Sequence, residues 1–196
     1  MPPRRILLIQ GHPDASARHF GHALADGYAE AAVGAGHEVR RVEVAQLDFP
    51  LLRSQHEWHH EPLPPSLLPS QQDTYWAQHL VFFFPLWMGD MPALLKGYIE
   101  QIARPGFAFH QSEPGTLGKK ALTGRSARVV VTMGMPALVY RYVFGAHSVK
   151  SLERNILGFV GIAPVRESLI GLVESADPAP RQRWLARMRR LGARAE

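Results

Sequence analysis

Three stretches of this chain carry side chains whose types and spacing suit the binding of an anion and of a flat ring. The first, Gly11-His12-Pro13-Asp14-Ala15-Ser16-Ala17-Arg18-His19, follows an aliphatic run and precedes a helical pattern. A helix start offers unpaired backbone N–H groups and a partial positive charge, so a phosphate or pyrophosphate would meet those amides, the Ser16 hydroxyl and the donors of His12, Arg18 and His19. A helix cap needs one such residue, whereas this loop supplies a cluster. The second, Phe84-Pro85-Leu86-Trp87-Met88-Gly89-Asp90-Met91-Pro92, brings large, flat and polarisable groups. Backbone groups around Leu86 to Met88 would bond the polar edge of a ring while Trp87 or Met88 covers its apolar part. The third begins Thr132-Met133-Gly134-Met135-Pro136. Gly134 permits close backbone approach, and Tyr140 and His147 further on are able to transfer protons.

Two metal patterns compete with this reading. His56-Glu57-Trp58-His59-His60 satisfies H-E-x-x-H, whose histidines must occupy adjacent turns of one helix to share a zinc ion. It lies between Pro50 and Pro62-Leu63-Pro64-Pro65 without an evident third ligand, so a polar surface loop is expected instead. His12-Pro13-Asp14 resembles the H-P-D-D motif of zinc-dependent sugar deacetylases, but Ala15 stands where the second carboxylate would be, so no metal is expected there. No G-x-G-x-x-G follows the first strand and no G-x-x-x-x-G-K-[ST] occurs in a suitable place, which argues against ordinary dinucleotide and P-loop binding.

Positioning the three loops requires strands and helices in alternation. Arg4 to Gln10 is nearly all aliphatic, as suits a central parallel strand covered on both faces. Phe20, Leu24, Gly27, Tyr28 and Ala31 then recur at helical spacing, up to Gly34 and Gly36. Further strands are predicted at His37 to Val44, His79 to Phe84, Ala127 to Thr132 and Val165 to Val173. Helices are predicted over Ser70 to Gln78, after Pro92, from Ser148 to Phe159 and after Asp177-Pro178. Residues 48–69 read as irregular and residues 111–126 as a surface excursion. Such alternation favours a parallel sheet with right-handed crossovers, in which ligands bind beyond the carboxyl ends of the strands where strand order reverses. The loops after the first, third and fourth strands are the three described above.

With 46% hydrophobic and 20% charged residues, the 196 residues suit one folded domain, taken as 1–196. The longest apolar run, Val81-Phe82-Phe83-Phe84, stops at Pro85, so no membrane span and a cytoplasmic location are expected. The absence of cysteine excludes disulfides, thiolate metal sites and thiol catalysis. A formal charge of +5 comes from arginine, crowded at Arg181, Arg183, Arg187, Arg189, Arg190 and Arg194. Without a nucleic-acid motif this run reads as a solvated helix face beneath Trp184, Leu185, Met188 and Leu191, and no nucleic-acid partner is expected.

Gly11-His12-Pro13 with Ser16, Phe84-Pro85-Leu86-Trp87 followed by Pro92-Ala93-Leu94-Leu95-Lys96-Gly97, Pro105-Gly106-Phe107-Ala108-Phe109, Thr132-Met133-Gly134 and Tyr140 occur in one order. This combination resembles the NAD(P)H:quinone oxidoreductase family of flavodoxin-like flavoproteins, including the modulator-of-drug-activity type. The resemblance implies a flavodoxin-like three-layer α/β sandwich, with a five-stranded parallel sheet in the order 2-1-3-4-5 and helices on both faces. It also implies a homodimer with active sites at the subunit interface. The implied cofactor is FAD, with FMN as the alternative; His12, Ser16, Arg18 and His19 would hold its phosphates. Pro85, Leu86, Trp87, Met88, Thr132, Met133 and Gly134 would contact its ring. NAD(P)H would give a hydride and a quinone or similar small acceptor would take two electrons, in a ping-pong cycle assisted by Tyr140 and His147. The family often has asparagine at the place of His19, has its histidine one residue before His147, and has tyrosine at the place of Phe109. Two other roles keep the fold: an electron-transfer flavodoxin, and an ancillary flavoprotein subunit of a potassium efflux system.

Overall fold

The computed structural model describes residues 2–110, 118–175 and 177–196. In chain order its elements are β1 (Arg5–Gln10), α1 (Phe20–Gly34), β2 (Glu38–Glu43), α2 (Gln55–His60), α3 (Leu68–Trp76), β3 (His79–Pro85), α4 (Ala93–Ile102), β4 (Phe109–His110) and β5 (Lys119–Lys120). There follow β6 (Ser126–Thr132), α5 (Ala137–Tyr142), α6 (His147–Ser151), a π-helical turn over Leu152–Leu157, α7 (Gly158–Val160), β7 (Val165–Ile170) and α8 (Pro178–Ala193).

The aliphatic runs become one five-stranded sheet, every pair parallel, in the order β2-β1-β3-β6-β7. The expected order numbered the sheet strands consecutively. In the chain β4 and β5 intervene, and they pair antiparallel with each other as a separate two-stranded unit, Phe109 opposite Lys120. Alternation along the strands splits the core into two layers. Leu7, Ile9, Leu80, Phe82, Phe84, Val129 and Val131 pack with Leu95, Tyr98 and Ile99 of α4. Ile6, Leu8, Val81, Phe83 and Val130 pack with Leu24 and Tyr28 of α1 and Met188 of α8. Asp177 caps α8 as its position suggested, accepting from Ala179 N at 2.9 Å. No helix among the described residues is long and apolar enough to cross a membrane.

Two helices were not foreseen. The segment with the H-E-x-x-H pattern is helical, because Ser54 Oγ accepts from Glu57 N at 3.1 Å while the Glu57 carboxylate accepts from Ser54 Oγ and Arg53 N at 3.1 Å each. This N-terminal cap commits the carboxylate that a zinc hydrolase would use as a base. Arg104 holds the far end of α2, donating Nη1 to Glu61 O at 2.6 Å and to the Glu57 and Pro62 carbonyls at 3.2 Å. The second, α5, starts directly after Pro136.

His79 opens β3 and is 2% exposed. Ser126 Oγ accepts from Arg4 Nη2 at 3.1 Å and lies 2.8 Å from His79 Nδ1, an arrangement satisfied when the hydroxyl donates to Nδ1 and the ring proton sits on Nε2. Burial, reinforced by Arg4 and Arg128, pushes the His79 pKa from 6.5 down to about 3. Between those values an unfolded chain binds a proton that the folded chain refuses, so stability is full above the unfolded value and falls as the pH is lowered through this window. Denaturant titrations from pH 7 to pH 4 should show a loss of about a few kcal/mol, with a shallower slope in His79→Asn. An identical slope in the variant would remove His79 as a cause.

Candidate functional site

Three strand ends meet at one edge of the sheet. Gly11 N donates to Phe83 O at 2.7 Å, Leu86 N to Thr132 O at 2.8 Å and Met133 N to Ile170 O at 2.9 Å, so the loops after β1, β3 and β6 leave side by side. They enclose a cavity of about 500 Å³. His12, Asp14 and His19 line it from the first loop, Phe20 and Gly21 from the start of α1, Pro85, Leu86 and Trp87 from the second loop, and Thr132, Met133 and Gly134 from the third. Val173, Glu174 and Arg181 close the remaining side.

The first loop is organised around a carboxylate. Asp14 Oδ1 accepts from Ser16 N at 2.8 Å and Ser16 Oγ at 2.5 Å, and Asp14 Oδ2 lies 2.7 Å from His19 Nε2. These bonds, the Ser16 hydroxyl first, hold the Asp14 carboxyl below the usual carboxylate range. Ser16 itself does not line the cavity. Ser16 and Arg18 line an adjoining pocket of about 210 Å³ with Glu43 and Gln46, Asp14 standing between the two, and Arg18 pairs with Asp26. Of the four residues expected at a phosphate, the structure therefore brings His12 and His19 to the cavity but not Ser16 or Arg18.

His12 is buried and stacks on His19, ring centroids 3.9 Å apart and planes 14° from parallel. Its Nδ1 accepts from Asp14 N at 3.2 Å. Burial, aided by the nearby His19 and His22, pushes its pKa down to about 4, so at neutral pH it is an uncharged donor through Nε2.

The second loop turns sharply. Trp87 N and Asp90 O are 2.9 Å apart and Asp90 N and Trp87 O 3.0 Å, with Met88 and Gly89 both at positive φ (49° and 82°). This two-residue reversal leaves Trp87 49% exposed over the cavity, with the His12 ring edge-on at 5.8 Å, and places Met88 wholly in solvent. Met88 does not line the cavity. Asp90 bonds Ser148 of α6, fixing the turn to that helix.

Tyr140 and His147 are not brought together in the cavity, and neither lines it. Tyr140 is 1% exposed and belongs to the core layer beneath α4; burial raises its pKa, partly offset by the Val149 backbone and Ser148 beside its hydroxyl. His147 is exposed, folded against Gly145 at the start of α6. Phe109 sits elsewhere, between Trp58 at 5.8 Å and Phe159 at 5.1 Å.

A phosphate-bearing planar ring suits these residues. The backbone of Gly134 is open, since a Cβ there would approach nothing nearer than the Glu174 carboxylate at 3.8 Å. The first-turn amides of Phe20 and Gly21 lack intrahelical acceptors and border the cavity beside His12 and the Arg181 guanidinium. Arg181 was missed by sequence reasoning because it belongs to an arginine run that looks solvated. Its Nε donates to Val173 O at 3.2 Å, which draws it inward. Among the described residues no group of three or more metal-binding side chains occurs.

A family model described as a flavodoxin-like fold matches residues 4–191. The chain belongs to this flavodoxin-like family. Among its relatives, a ribosyldihydronicotinamide dehydrogenase-like protein, traD, of Penicillium crustosum is 28% identical over 155 residues, 66% of this chain and only 57% of the relative. An uncharacterized NAD(P)H oxidoreductase of Haemophilus influenzae is 25% identical over 90% of this chain and 88% of its own length. An FMN-dependent NADH:quinone oxidoreductase 1 of Hahella chejuensis is 38% identical over 90 residues, 45% of this chain and 41% of the relative. In three dimensions, the flavodoxin-like chain superposes on an NAD(P)H:quinone oxidoreductase of Methanothermobacter marburgensis with a TM-score of 0.82 at 24% identity, covering 100% of both, a likeness of fold.

Proposed function

We propose that this flavodoxin-like protein is a single-domain, FMN-dependent NAD(P)H oxidoreductase that reduces quinones or similar small acceptors. The reading rests on the convergence of three strand-end loops into one cavity that pairs anion donors with a half-exposed tryptophan. Relatives named for NAD(P)H oxidation and for FMN-dependent quinone reduction support it, and they favour FMN over FAD. When bound, the flavin supplies the two-electron chemistry.

The chain's own residues then divide the work. His12 Nε2, the Phe20 and Gly21 amides and Arg181 hold the phosphate, while Asp14 keeps Ser16 and His19 locked in the loop. Pro85, Leu86 and Trp87 on one side and Thr132, Met133 and Gly134 on the other position the ring, with Trp87 excluding water from its outer part. Tyr140, being buried, acts by supporting α5 and α6. Met88, Leu138, Tyr142, Val143 and Phe144 are all more than half exposed, a set of apolar side chains on the loops after β3 and β6 that supports a homodimer.

Purified protein loaded with FMN should oxidise NADH or NADPH, and faster when a benzoquinone is added. Failure to quench FMN fluorescence at high protein concentration, or a bound flavin that neither nucleotide bleaches, would sink the proposal. Trp87→Ala should weaken FMN binding by about five- to thirtyfold, equivalent to about 1–2 kcal/mol of ring contact, with little change in the melting temperature of flavin-free protein. Unchanged affinity would show that the ring lies elsewhere.

A further inference from the structure

A second cavity, of about 390 Å³, lies at the opposite edge of the sheet, where β1, β3, β6 and β7 begin and the end of α8 covers them. It shares no lining residue with the strand-end cavity. Arg4, Arg125, Arg166 and Arg194 line it, and among its described lining residues the only carboxylate is Glu196, already 3.2 Å from Arg166 Nη1. Arg128 adjoins it, 4% exposed, donating to Ser168 Oγ at 2.9 Å and Glu196 O at 2.7 Å.

Backbone bracing accounts for part of this cluster. Arg4 donates to Ala195 O at 3.1 Å and Gln78 O at 3.3 Å, and Arg125 to Tyr75 O at 2.6 Å and Thr123 O at 3.2 Å. It does not account for Arg194, which is exposed and whose guanidinium makes no hydrogen bond or ion pair among the described residues. Nor does it satisfy His79, which forms part of the cavity wall with a buried Nε2 that has no partner. Like charges gathered in a partly dry recess repel, and their planar forks of donors match the oxygens of a phosphate.

We infer that this basal cavity binds a small phosphate-bearing anion, contacted by Arg166 and Arg194 and walled by the fixed guanidiniums of Arg4 and Arg125. The inference is independent of the flavin reading. It is tested by calorimetric titration of the full chain, with and without excess FMN, using inorganic pyrophosphate as the probe at low ionic strength. Binding is expected, weaker by about tenfold in Arg194→Ala, the loss of one charge-assisted contact, and weaker still in the double variant with Arg166→Ala. It should persist in Arg154→Ala, which removes an exposed arginine that lines neither cavity. A rise in melting temperature with pyrophosphate, present in the natural chain and absent from the double variant, is the second expected readout. No heat and no thermal shift at millimolar pyrophosphate would overturn the inference. So would affinity that survives the double substitution, or that falls as far in Arg154→Ala as in Arg194→Ala.

Discussion

Replacing Gly171 by alanine is expected to lower the melting temperature by several degrees and to weaken FMN binding in the same variant. Gly171 follows β7 directly beneath the third loop, and a Cβ there would stand well under 3.0 Å from Ala137 N and Met135 O. Both are backbone atoms, which cannot rotate aside as a side-chain tip can. The Met133 to Ala137 segment must therefore lift, stretching the bonds from Leu172 N to Met135 O at 3.2 Å and from Val173 N to Met133 O at 3.3 Å. Overpacking of this kind costs about 1–3 kcal/mol or more, and it displaces the wall formed by Thr132, Met133 and Gly134. Thermal unfolding and FMN titration measure the two effects. If stability fell while FMN affinity held, the third loop would not be part of the flavin site.

Gly192→Ala should destabilise at least as strongly while sparing FMN affinity. Gly192 is where α8 crosses α1, and its missing Cβ would fall well under 3.0 Å from the carbonyl oxygen of Tyr28 and 3.0 Å from its Cα. The two helices together cover Ile6, Leu8, Val81 and Phe83, so forcing them apart opens one whole core layer. The expected loss is about 3 kcal/mol or more by denaturant titration, with an FMN affinity in the folded fraction equal to that of the natural chain. A loss below about 0.5 kcal/mol, the level of ordinary surface substitutions, would mean that the helices do not approach so closely. The pair of glycine variants thus separates support of the site from support of the fold.

Much of the architecture was legible because it depends on local patterns. Runs such as Ile6 to Ile9 and Leu80 to Phe84 are apolar on both faces, which only a covered parallel strand requires, and the loops that follow them necessarily share an edge. What escaped depended on partners distant in sequence or on the direction of a side chain. The helix α2 is held from outside by Arg104, about forty residues away, and β5 lies within the surface excursion, paired with β4 before it. Residues 111–117 of that excursion lie outside the described residues. Ser16 and Arg18 carry suitable donors, yet Asp14 and Asp26 claim them, and no count of donors reveals which carboxylate arrives first. Tyr140 has the chemistry of a proton donor, but its position on α5 directs it into the core.

The bond between Asp90 and Ser148 couples two parts of the molecule mechanically. The indole at position 87 sits on a short reversal whose far end is bolted to a helix, so it cannot swing as an independent flap. A push on that helix from a neighbouring surface would be transmitted to the mouth of the cavity as a tilt of the aromatic cover, and cutting the bolt with Ser148→Ala would leave the cover free to rattle.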